Sequence, residues 1–168
     1  MTGVERGANR PAHVDGARLA VRAALSAALA LAIARLVHLP SPIYAMIGAV
    51  IVTDLSAAET RRLALPRLGG TLMGAAIGAA LTPALIAGPL AIGAGVCAAM
   101  YFTYLLRWRN AEKVAGYICG SVLLDQRAAP WLHGIDRLVE TALGIGVAVL
   151  VSHVPPLIGA NRGTNLHE

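Results

Sequence analysis

Residues 67–78 read RLGGTLMGAAIG, and residues 137–144 read RLVETALG. Both fit R-L-x-x-T-x-x-G, with Arg67, Thr71 and Gly74 in the first copy and Arg137, Thr141 and Gly144 in the second. Each copy opens the third apolar segment of a set of three, and each follows a segment too short for an easy membrane span. Three helices per set is an odd number, so a second set would enter a membrane the opposite way up. That is the inverted-repeat plan of many transporters, with sites where the repeats meet. Gly70, Gly74 and Gly78 add a GxxxGxxxG stripe, which lets another helix approach the backbone.

The rest of the chain agrees with a membrane setting. Of 168 residues, 57% are hydrophobic and 14% charged, against roughly 45–50% and 25% in soluble domains. A water-soluble fold of this composition would expose too much apolar surface. The mean hydropathy is +0.65. The net charge of +5 does not point to nucleic acid, because the basic residues lie at the ends of apolar runs and lack an aromatic platform. Cys97 and Cys119 sit inside apolar runs and read as small buried hydrophobes, and no His or Cys stands at metal-ligand spacing. No cofactor is expected.

The periodicity predicts an all-α membrane protein of about six transmembrane helices, over residues 17–37, 43–55, 67–85, 90–106, 112–124 and 135–154. Residues 1–16 read as a flexible polar tail, 17–156 as one transporter-like domain and 157–168 as a second tail. The polar segment 54–66 reads as a helical extension at the membrane surface. The turns at 38–43 and 82–89 hold no Lys or Arg, whereas 54–67 and 107–113 carry Arg61, Arg62, Arg67, Arg107, Arg109 and Lys113. By the positive-inside rule the N-terminus is cytoplasmic, with Arg127 and Arg137 as exceptions. Trp108 and Trp131 fall at interfacial depths. Arg18, Arg22, Arg61, Arg62, Arg107 and Arg109 read mostly as topology signals.

Charged groups inside a span are costly unless paired or solvated, and they tend to face a cavity. Two guanidiniums reaching one cavity from opposite ends would attract a carboxylate. Arg67, Thr71, Arg137 and Thr141 are therefore the candidate substrate contacts. The competing reading is that each arginine snorkels to the headgroups, and for Arg137 local pairing with Asp136 or Glu140 favours it. Gly70, Gly74, Gly78 and Gly144 are candidate packing positions. Asp54 is either a proton-coupling group or a residue that caps a helix or pairs with a local arginine. No HExxH, P-loop or G-x-S-x-G motif is present, so no enzyme and no metal site are expected.

The stretch YAMIGAVIVT at 44–53, a basic segment, then R-x-x-G-T-x-x-G at Arg67, Gly70, Thr71 and Gly74 resembles the fusaric acid resistance protein-like family. That family overlaps the aromatic acid exporters. In the second copy Glu140 takes the place of the glycine. The resemblance implies an inner-membrane domain of about six helices that moves small organic anions such as aromatic carboxylates, commonly as an oligomer. Larger members repeat the membrane unit or add cytoplasmic domains, so a chain of this size is expected to self-associate. The expected partners are the lipid bilayer, an organic anion and further copies of the chain. The alternative is a non-transporting membrane assembly or accessory subunit, in which the glycine stripes serve packing alone.

Overall fold

The computed structural model describes residues 12–84, 88–108, 110–125 and 129–154. The described residues form six α-helices: α1 Ala12–Leu36, α2 Ile43–Val52, α3 Ala57–Leu81, α4 Pro89–Leu105, α5 Glu112–Asp125 and α6 Pro130–Ser152. Of the tails expected at 1–16 and 157–168, residues 1–11 and 157–168 lie outside them, as do Arg109 and Arg127, while residues 12–16 belong to α1 rather than to a flexible tail.

Three helix starts differ from expectation, each for a local reason. Helix α3 begins ten residues before Arg67 and absorbs the polar segment. Ser56 caps it by accepting from Ala58 N at 3.2 Å, and Glu59 stands at the third helical position. Pro66 lies within α3 without ending it. Helix α6 begins at Pro130, a favoured first helical residue because its missing N–H has no partner there anyway. Helix α1 already runs from Ala12, five residues before its apolar run.

Helices α3 and α6 form the central pair, with α5 against α3 and α2 against α6. Helix α1 covers α2 and α6, and α4 covers α5 and α3. The central pair is antiparallel: Gly134 on α6 packs on Ala75 of α3, while Ala64 lower on α3 clusters with Ile145, Ala148 and Val151. The flanking pairs are backbone-close. A Cβ at Gly74 would fall on the Ala115 carbonyl, and one at Gly144 on the Ala45 carbonyl. A Cβ at Gly78 would stand 2.9 Å from Val122 Cβ. At about 1.5 Å per residue α2 is roughly 15 Å long and α5 roughly 21 Å, against a hydrocarbon core of about 30 Å.

The polarity of the fold is reversed relative to a soluble domain. On α1, Arg22, Ser26, Ala30 and Ala34 form the buried face, while Val21, Leu25, Leu29 and Ile33 are exposed. The two helices His13–Leu36 and Ala57–Leu81 are long and apolar enough to cross a membrane.

The glycine contacts yield a direct check. Gly144→Ala should destabilise the fold by roughly 1–3 kcal/mol, because backbone must move to admit the methyl. Gly146, on the same helix, has open space around it, so Gly146→Ala should be neutral or stabilise by about 0.5–1 kcal/mol. Thermal unfolding of both variants in detergent micelles measures the contrast.

Candidate functional site

The two arginines of the repeated pattern end up inside the bundle rather than at its boundary. Arg67 on α3 is 2% exposed and Arg137 on α6 is 1% exposed. Each lies over a tyrosine ring from the flanking short helix. The Arg67 guanidinium carbon is 4.9 Å from the ring centre of Tyr117 on α5, and that of Arg137 is 3.8 Å from Tyr44 on α2. Such stacking is a cation–π contact. The result is a chain of two arginine–tyrosine pairs, Arg67–Tyr117 and Arg137–Tyr44, one on each helix of the central pair.

The two ends of this chain differ in charge. Arg137 Nη2 is 3.1 Å from Glu140 Oε2, one helical turn on. This is a charge contact off the hydrogen-bonding angle. Glu140 is fully buried, and its Oε1 accepts from Ser41 N at 2.6 Å, just before α2. The carboxylate thus ties α6 to the positive end of the α2 dipole. The position three residues after Arg67 is Gly70, which packs on the Ala111 carbonyl and Val114 instead. Among the described residues no carboxylate lies within ion-pair distance of Arg67, and its Nε and Nη2 atoms are buried with no hydrogen-bond partner.

The two threonines of the pattern are both fully buried. Thr71 Oγ1 donates to the Arg67 carbonyl at 2.9 Å. Thr141 packs against Gly48 of α2, and its hydroxyl is buried without a partner. Gly70, Gly74 and Gly78 all face α5, and Gly144 faces α2. Asp54 lies in the α2–α3 link, where its Oδ1 accepts from Ser56 N at 3.3 Å and its own N–H donates to Thr60 Oγ1 at 3.1 Å. It does not join the arginine chain through any of these bonds.

Two buried polar groups were missed by sequence reasoning. Arg22 is a buried group rather than a surface topology signal: it is fully buried on α1, and its Nη1 donates to the Leu55 carbonyl at 2.5 Å. The arginine thereby closes the α2–α3 link, and Asp54 attracts it. The signal was available in the four-residue spacing of Arg22, Ser26, Ala30 and Ala34, a small and polar face opposite a large apolar one. His133, expected in a loop, is buried in the first turn of α6 with its Nε2 3.1 Å from Asp125 Oδ2. Pro130 at the helix start was the clue to its helical position. No group of three or more potential metal ligands occurs among the described residues.

A family model described as fusaric acid resistance protein-like matches residues 29–151, a span that holds both copies of the pattern. The chain belongs to this family. It is accordingly a membrane protein of transporter-like type, which accounts for the reversed polarity of its surface and interior. No curated protein and no solved structure matches it.

The charge asymmetry makes opposite demands on the two ends of the chain. Glu140→Ala leaves Arg137 buried without its counter-charge and Ser41 N–H without its acceptor, which should cost about 3–5 kcal/mol. Arg67→Gln removes a buried charge with no carboxylate partner and should raise the melting temperature. Unfolding of both variants in detergent tests this; a loss of stability of similar size in both would contradict the assignment.

Proposed function

We propose that this protein exports or conducts small organic anions of the aromatic carboxylate kind across the inner membrane, with Arg67 as the principal anion contact. The observation that carries the reading is a buried guanidinium inside a membrane bundle with no carboxylate partner among the described residues. A buried charge costs several kcal/mol unless something neutralises it, and a ligand carboxylate is the group its planar fork suits best. The Tyr117 and Tyr44 rings beside the two guanidiniums favour a flat, aromatic anion. Arg137, Thr71 and Thr141 complete the substrate environment.

The same reading takes the bundle as two inverted three-helix repeats, α1–α3 and α4–α6, with all six helices in the membrane. The contact plan supports it. Gly74 meets Ala115 as Gly144 meets Ala45, and both members of each contact are offset by 70 residues. The short α2 and α5 match the discontinuous helices that build sites at repeat interfaces. Tyr101, Phe102, Tyr104 and Trp108 are exposed at the end of α4 beside Arg107, and Trp131 is exposed at the start of α6. Aromatic girdles at two depths, with the basic one inside, support a cytoplasmic N-terminus. The exposed Leu, Ile and Val face of α1 suits lipid or a second copy in a homo-oligomer. Asp54, at the helix link, is the candidate for proton coupling.

The test is efflux of benzoate from proteoliposomes. The native chain should release benzoate, Arg67→Ala should abolish release with the fold intact, and Arg67→Lys should restore little of it, because an ammonium lacks the planar fork. Absence of efflux from the native chain across several organic anions would favour the assembly-subunit reading.

A further inference from the structure

The polar chain at the centre of the bundle carries its own count of charge. Arg67 and Arg137 bring two positive charges, and Glu140 brings one negative charge 3.1 Å from Arg137. Tyr117 and Tyr44 lie against the two guanidiniums and contribute rings rather than charge to the site. Neither Thr71 nor Thr141 adds any. One positive charge is left over, and it belongs to Arg67.

We propose that Glu140 determines substrate charge: by neutralising Arg137 it limits the site to anions bearing a single negative charge. The inference rests on the anion-transport reading and sharpens it. In a low-dielectric interior an uncompensated charge is the dominant cost, whichever its sign. A monocarboxylate brings the occupied site to neutrality. A dicarboxylate overshoots it and places its second carboxylate near the buried Glu140 charge. The glycine at position 70 makes the count unequal between the two copies of the pattern, because only the second copy supplies its own carboxylate. Gly70 cannot be exchanged for an acid to equalise them, since any Cβ there meets the Ala111 carbonyl and Val114.

Glu140→Gln changes the charge at nearly constant shape, at some cost in stability because Arg137 loses its counter-charge. In Glu140→Gln the side-chain oxygen still accepts from Ser41 N–H, while the charge opposite Arg137 is gone. The site then holds two uncompensated positive charges and should favour a dianion. In the double variant Arg137→Gln with Glu140→Gln both members of the pair are lost, the surplus returns to one, and the native preference should return with it. Neutral replacement of a whole buried pair is often tolerated.

The experiment compares benzoate and phthalate, which share a ring and differ by one carboxylate, in proteoliposomes at a pH where phthalate is a dianion. The native chain should carry benzoate in preference to phthalate by roughly tenfold or more, the size expected for one unmatched buried charge. Glu140→Gln should move the ratio towards phthalate by a similar factor, and the double variant should restore it. A native chain that carries phthalate as well as benzoate overturns the proposal, whether or not Glu140→Gln folds. A folded Glu140→Gln with an unchanged ratio overturns it too, as does a folded double variant that loses the native preference. If the native chain carries neither of these anions nor any other organic anion, anion transport itself fails, and the role of Glu140 falls with it.

Discussion

Backbone-to-backbone contact at Gly74 and Gly144 is the constraint on which the remaining structure rests. Inside a bilayer two helices gain nothing from excluding water, so they associate through close packing and polar contact. At Gly74 the α3 backbone reaches the Ala115 carbonyl, and at Gly144 the α6 backbone reaches that of Ala45. Without side chains at these points α5 and α2 lie close enough for their tyrosines to cover Arg67 and Arg137. A bulkier residue at either glycine would push the short helix outward and withdraw the ring from its guanidinium. The packing stripe and the polar site are thus one arrangement rather than two.

The same economy of side-chain volume explains why the bundle hides its charges and shows its leucines. Small residues dominate the buried apolar clusters, with larger ones such as Val52, Ile118, Leu123 and Ile145 among them, and the arginines, threonines and Glu140 are buried beside them. Many other large aliphatic residues point outward, where lipid would receive them at little cost. Each buried ionisable group then needs a local answer. Arg22 has the Leu55 carbonyl with Asp54 nearby, Arg137 has Glu140, and His133 has Asp125. Arg67 has an aromatic ring alone among the described residues, and a ring repays only part of what desolvation takes.

Much of this was legible in the amino-acid order, in proportion to how local the determining contacts are. The six helices, their sequence and the repeated R-L-x-x-T-x-x-G pattern follow from apolar runs and turn residues. Pairing of Arg137 with Glu140 follows from their spacing along one helix face. The starts of α3 and α6 were misplaced because hydropathy marks where a helix becomes apolar, not where it is capped; Ser56 and Pro130 hold that information. The burial of Arg22 was hidden because a basic residue near a helix start is so often a topology signal. Tyr44 and Tyr117 were out of reach altogether. Each meets its arginine from a different helix, and only the glycine contacts bring those helices together.

The inequality of the two repeated segments bears on what a transport site requires. If both arginines carried an internal carboxylate, the centre would be a structural ion-pair layer with no electrostatic reason to admit an anion. If neither did, two unmatched guanidiniums would oppose the folded state and hold any dianion too tightly to release it. Passage through a site needs binding strong enough to enter and weak enough to leave. One paired arginine and one unpaired arginine satisfy both conditions in the proposed transporter. Arg137 with Glu140 and Ser41 secures α6 to α2, and that bond is independent of any ligand. In that proposal Arg67 is left to take a ligand carboxylate, while the close backbone contacts at Gly74 and Gly78 still hold α3 to α5.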